Sequence, residues 1–196
     1  MNPLKKKLKD YRIILGSQSP RRKQLLGEFD IPFDIIVKNV EESFPDHLRN
    51  EEIALHIADK KAKAFGKETS DKKTIVITAD SIVCLDDHVL GKPVDLADAV
   101  RILKLLSGRK HFVFTGVCII NHEKSISFFS KTEVSFKKLT DEEISYYVDA
   151  HRPLDKAGAY GIQEWIGAVG VEHISGSYSN VMGLPLKELY EQLLAF

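Results

Sequence analysis

Two hydrophobic periods alternate along this chain, and that alternation restricts its architecture more than any other feature. Short β-branched apolar runs occur at 11–16 (YRIILG), 33–37 (FDIIV) and 74–79 (TIVITA) and read as strands. Between and after them, apolar residues recur at helical spacing. Ser19 and Pro20 suit the N-cap and first turn of a helix carrying Leu25, Leu26 and Phe29. Ile53, Leu55, Ile57, Ala58 and Ala62 mark a helix from about Glu51 to Phe65. Ala99, Val100, Leu103 and Leu106 mark another, which starts at Asp95 or Asp98 and stops at Ser107-Gly108. A hairpin with arms 111–120 and 125–136 turns around Asn121 to Lys124. Thr140 and Glu143 form a capping-box pattern ahead of Ile144, Tyr147 and Val148, in a helix that ends near Pro153. The glycine-rich stretch 154–184 reads as strand and tight loops, and 185–194 as a closing amphipathic helix. Strands interleaved with helices in this way predict a single mixed α/β domain with a cleft, over residues 11–196.

A chain of 196 residues can bury roughly 70% of its unfolded surface, so neither disulfides nor a structural metal is required to hold it. Cys84 and Cys118 stand apart inside apolar runs and read as buried strand residues, not as a metal pair. Lysine plus arginine equal aspartate plus glutamate at 28 each, so no overall positive field favours nucleic-acid binding. The one dense basic cluster, Lys5, Lys6, Lys7 and Lys9, reads as a solvated, frayed tail over residues 1–10. After those lysines the longest early apolar run is Ile13-Ile14-Leu15, too short for a signal peptide. No run approaches a membrane span, so no membrane partner is expected and the expected location is cytoplasmic.

Several segments carry residue types suited to phosphate chemistry. Ser17 to Arg22 joins a strand to a helix start, where free backbone N–H groups and two arginines would face one region. An anion site has that outline, and so does an ordinary capped helix with solvated arginines. Successive helical residues point about 100° apart, so Arg21 and Arg22 cannot both lie on one phosphate. Asp80 directly follows the 74–79 run and is expected at the carboxyl end of that strand, the edge where ligands sit in α/β sheets. A carboxylate there can ligate Mg²⁺, deprotonate a water or serve as a turn residue. Lys61, Lys92, Arg109 and Lys156 are further cations able to neutralise a polyphosphate, although each taken singly reads more readily as surface. Gly91-Lys92 is not a Walker A lysine, because the upstream glycine and the following serine or threonine are missing. The seven histidines include no H-E-x-x-H, and Ser107, Ser177 and Ser179 lack a G-x-S-x-G setting, which disfavours zinc and serine hydrolases. Tyr160, Trp165 and Tyr178 can stack a base or fill a core.

Eight ordered segments go further: Ser17 to Arg22 (SQSPRR), 58–62 (ADKKA), 78–81 (TADS), 91–93 (GKP), 107–109 (SGR), 115–117 (TGV), 155–163 (DKAGAYGIQ) and 176–186 (GSYSNVMGLPL). Together they resemble the Maf family, and the arginine pair and the AGAYGIQ block resemble its branch that prefers dTTP and UTP. The resemblance implies an α/β fold with a mixed central sheet, flanking helices and two lobes around a nucleotide cleft, related to inosine triphosphate pyrophosphatases. It also implies a nucleoside triphosphate pyrophosphatase that cleaves between the α and β phosphates with Mg²⁺ or Mn²⁺ and clears noncanonical nucleotides. Carried over by position, Asp80 matches the family's proton acceptor, and Arg21, Ser81 and Gln163 match positions tied to substrate choice. Ser17, Arg22, Lys61 and Lys92 match phosphate-binding positions, and Glu42, Asp80 and Asp155 match metal-binding ones, with Glu41 as the alternative to Glu42. The carboxamide of Gln163 offers a donor and an acceptor, which suits O4 and N3–H of uracil or thymine. Ser81 stands where many members have threonine, and Glu164 where many have glycine. The competing readings are a nucleotide-binding regulatory module linked to septum formation and a pyrophosphatase with another base preference. The family admits a homodimer, which no feature of the sequence demands.

Overall fold

The computed structural model describes residues 2–86 and 88–196; Met1, at the head of the expected tail, and Asp87 lie outside the described residues. Among the described residues the strands are β1 (Arg12–Leu15), β2 (Asp34–Ile35), β3 (Thr74–Leu85), β4 (His88–Leu90), β5 (Lys110–Ile120), β6 (Ser125–Phe136) and β7 (Val171–Ser175). They form one sheet in the order β2-β1-β3-β5-β6-β7, with β4 also on β3. The sheet is mixed. β1 runs parallel to β2 and β3, whereas the β3–β4, β3–β5, β5–β6 and β6–β7 pairs are antiparallel. The helices are α1 (Pro3–Lys7), α2 (Pro20–Gly27), α3 (Glu51–Lys63), α4 (Leu96–Leu106), α5 (Asp141–His151), α6 (Trp165–Gly170), α7 (Tyr178–Met182) and α8 (Leu186–Ala195). None of them is long and apolar enough to cross a membrane.

Strand period 2 divides the core between the two faces of the sheet. Ile75, Ile77, Ala79, Val83 and Leu85 of β3 join the main core with Leu26 of α2, Leu103 of α4, Ile144 of α5 and Leu189 of α8. The alternate residues Val76, Ile82 and Cys84 face the other way. There α3 lies close to the sheet, because its buried Ala54, Ala58 and Ala62 are small and recur every four residues. Gly116 of β5 completes that approach, since a Cβ there would fall 2.5 Å from the backbone of Ala54. Thr78 Oγ1 donates to the Ala58 carbonyl at 2.8 Å across the same contact.

The central strand is longer than expected. β3 does not end at Ala79 but continues through Asp80 to Leu85, so Asp80 lies mid-strand and not at a carboxyl end. A buried carboxylate interrupts an apolar run in the same way as a strand end would, and sequence alone does not separate the two. What opens the sheet here is pairing. β1 covers β3 only over Thr74–Ile77 and β4 only over Val83–Leu85, whereas β5 pairs with the opposite edge from Val76 to Cys84. Residues 78–82 therefore have no strand along one edge, and Asp80 sits in the middle of that gap.

The expected frayed tail is a docked helix. Asn2 caps α1 by accepting from the Leu4 N–H at 2.9 Å, and its amide donates to the Phe29 carbonyl at 2.6 Å. Leu4 and Leu8 are buried against the core while the lysines stay exposed. The 33–37 strand shortens to the edge pair Asp34–Ile35. Within 154–184 the structure adds α6 and α7 to the expected strand and loops; these helices are too short for their period to show. The hairpin, the Thr140–Glu143 capping box and the buried Cys84 and Cys118 agree with the sequence reading.

Candidate functional site

A cleft of about 960 Å³ opens over the gap in β3 and is lined by Ser17, Arg22, Lys61, Asp80, Lys92 and Gln163, among others. Its size is that of a small-molecule or cofactor site. Because successive strand residues point to opposite faces, Asp80 and Ser81 present two different walls to it. Asp80 meets α3. Lys61 Nζ lies 2.6 Å from Asp80 Oδ1 and 2.7 Å from Glu42 Oε1, and both Lys61 and Asp80 are largely buried. Lys92, next to β4, reaches the other oxygen of Glu42 at 3.2 Å. Burial pushes the Glu42 carboxyl up, but Lys61 and Lys92 outweigh it and hold the group below the ordinary carboxylate range.

Ser81 faces α2 instead. Arg22 Nη2 donates to Ser81 Oγ at 3.0 Å and Arg22 Nε to the Gly183 carbonyl at 2.8 Å. Arg22 Nη1 reaches Ser17 Oγ at 3.5 Å, and Ser17 Oγ in turn accepts from the Ser19 N–H. Ser19 is the N-cap of α2 and Pro20 its first residue, which turns the chain at the end of β1 toward the gap. Arg21 points elsewhere, as helical geometry requires, and pairs with Asp155 at 3.1 Å. Lys156 holds the other Asp155 oxygen at 2.6 Å.

The candidate residues Ser17, Arg21, Arg22, Glu42, Lys61, Asp80, Ser81, Lys92, Asp155 and Gln163 all line this cleft. Arg109 does not line the cleft; it pairs with Asp86 at 2.6 Å on the surface, in line with its reading as a surface cation. Glu42, Asp80 and Asp155 do not gather around one point. Glu42 and Asp80 share the Lys61 ammonium, while Asp155 is engaged by Arg21 and Lys156. Among the described residues no three His, Cys, Asp or Glu side chains form a metal cluster. Glu42, and not Glu41, faces the cleft.

Sequence reasoning missed the residues that fix Ser81. Its hydroxyl lies 2.8 Å from Thr115 Oγ1, which donates to the Asn180 carbonyl at 3.1 Å. Asn180 is buried and its amide donates to the Val113 carbonyl and to Thr132 Oγ1. No local sequence signal marks Asn180, because α7 is too short for its period to show.

Tyr160 lines the cleft as a buried wall and is not an exposed stacking platform; its hydroxyl lies 2.8 Å from His111 Nε2. His111 is fully buried in β5, its Nδ1 has no partner, and burial lowers its pKa to about 4. The folded protein therefore refuses a proton that the unfolded chain accepts below about pH 6.5. Stability from this source is full above that pH and falls as pH drops toward 4. Urea unfolding should show a loss of roughly 2–3 kcal/mol between pH 7 and pH 4.5 attributable to this group. The His111→Gln variant should lack that component; an identical pH dependence in both proteins would assign it to other groups.

Comparison with known proteins bears on the family of the chain. A relative from Parabacteroides distasonis, named dTTP/UTP pyrophosphatase, is 49% identical over 96% of this chain and 98% of its own. Another of the same name from Phocaeicola vulgatus is 51% identical over 95% and 96%. Among solved structures, the Staphylococcus aureus Ham1 protein overlays 64% of this chain and 71% of its own at TM-score 0.41 and 15% identity. The family model for Maf-like protein matches residues 12–196, and the chain belongs to that family.

Proposed function

We propose that the chain is a nucleoside triphosphate pyrophosphatase that converts dTTP and UTP to the monophosphate and pyrophosphate. The observation that carries this reading is the position of Asp80, a carboxylate in the unpaired gap of β3, between Lys61 on one face and the Arg22–Ser81–Ser17 group on the other. Phosphoryl transfer asks a protein mainly for positioning and charge, and this cleft supplies both. The base preference is drawn from the relatives, which share the name dTTP/UTP pyrophosphatase at close to half identity over almost the full chain.

In this mechanism Asp80 orients a water and accepts its proton as the water oxygen bonds to the α-phosphorus. The bond from that phosphorus to the bridging oxygen breaks, and pyrophosphate leaves with the electron pair. Lys61, Lys92, Arg22 and Ser17 bind phosphate oxygens and neutralise the charge that grows on the leaving group. Glu42 and Asp80 both turn a carboxylate oxygen to the Lys61 ammonium, and they are the residues that would hold a divalent cation. When bound, Mg²⁺ or Mn²⁺ supplies further neutralisation of the triphosphate. Asp155, neutralised by two cations of the protein, is left outside that pair.

The test is product analysis with canonical and modified nucleoside triphosphates and Mg²⁺ or Mn²⁺. Monophosphate with pyrophosphate from dTTP and UTP is expected. Orthophosphate with diphosphate would mean γ cleavage and overturn the proposal, and binding without turnover would leave a regulatory module in its place.

A further inference from the structure

Glu164 is held on both of its carboxylate oxygens. Residues 161–164 form a turn closed by the Glu164 N–H donating to the Gly161 carbonyl at 3.0 Å, with exposed Gln163 at its tip facing the cleft. Both ends of the turn are tied to one buried hydroxyl. Tyr147 of α5 donates through its Oη to Glu164 Oε2, and that same Oη accepts from the Gly161 N–H at 3.0 Å. The other Glu164 oxygen lies 3.2 Å from Lys156 Nζ, which also holds Asp155 at 2.6 Å, and Asp155 holds Arg21. A continuous chain of contacts thus runs from Arg21 to the turn of Gln163. Gly161 is shaped for it, since a Cβ there would fall 2.7 Å from the Glu164 carboxyl carbon.

We infer that Glu164, with Lys156 and Tyr147, is a positioning residue for base recognition: it holds the Gln163 turn in the orientation that reads the pyrimidine and couples it to Arg21. The inference rests on the pyrophosphatase reading above and adds a determinant of its specificity. A carboxamide at the tip of a turn discriminates only if the turn is held, and here a charged pair and a shared hydroxyl hold it.

Steady-state kinetics of Glu164→Ala test this, with inorganic tripolyphosphate as a base-free competitive inhibitor. KM for dTTP and UTP is expected to rise about tenfold, the effect of losing one or two good hydrogen bonds. The inhibition constant of tripolyphosphate should stay the same, because the phosphate side of the cleft is untouched. Gly161→Ala, which displaces the Glu164 carboxylate without removing it, should reproduce the pattern, and Glu164→Gln should restore part of it. A parallel weakening of tripolyphosphate would reduce Glu164 to a general structural role, and unchanged KM values in both alanine variants would also overturn the inference. If the wild-type protein hydrolyses neither dTTP nor UTP, the functional reading fails first, and the two failures are distinguishable.

Discussion

Asp80→Asn should leave the fold intact and reduce turnover of dTTP and UTP by roughly 10²- to 10⁴-fold, the usual contribution of a positioned proton acceptor. An asparagine has nearly the same shape and can still accept from Lys61, so the gap in β3 should remain occupied. It cannot take a proton from water. Neighbouring cations and Ser17 are untouched, so nucleotide affinity measured without added metal should persist while the chemical step slows. Circular dichroism, nucleotide binding and single-turnover product formation, measured on one preparation, separate these effects. Turnover near that of the wild type would remove Asp80 from the chemistry, and loss of binding together with turnover would give it a role in holding the nucleotide.

A large stability change is expected at Gly116, which pairs directly with Asp80 across β3 and β5. A methyl group there would lie 2.5 Å from the Ala54 carbonyl carbon and oxygen and 2.6 Å from the Leu55 nitrogen, all of them backbone. No rotamer relieves such a clash, so α3 must move off the sheet. Overpacking typically costs about 1–3 kcal/mol, and displacing a whole helix places Gly116→Ala at or above the top of that range. Moving α3 also carries Lys61 away from Asp80, so residual folded protein should turn over slowly. Gly27 makes the contrast: nothing lies within 4 Å of its Cβ position at the end of α2, and Gly27→Ala should be neutral or stabilising by up to about 1 kcal/mol. Chemical denaturation of the two variants reads the difference directly, and equal stability would refute the close-approach account of Gly116.

Local signals were legible where one segment contained its own cause. The β5–β6 hairpin is bounded almost as its alternation and polar turn suggest, and Thr140 with Glu143 caps α5 as a reciprocal pair. Asp80, Arg22 and Lys61 were marked by charge beside apolar runs. Their grouping was not legible, because the gap in β3 comes from where β1 stops and β4 starts, and neither boundary is encoded near Asp80. Thr115 and Asn180 looked like ordinary polar residues until the fold brought them under Ser81. The lysines of α1 masked Leu4 and Leu8, whose burial decides that helix, and Glu164 stood out only as a departure until Tyr147 and Lys156 closed around it.

The seam between β1 and β3 also has a kinetic meaning. β5 finds β6 across a connection of four residues, 121–124, whereas Arg12 pairs with Thr74 across about 60 residues of intervening chain. Closing the longer loop costs more conformational entropy and belongs to the slow, non-local part of assembly. Ser17 and Arg22 arrive at the cleft only when that pairing forms, since they follow β1 directly. Completion of the cleft therefore waits on the closing of a non-local strand pairing beside Asp80.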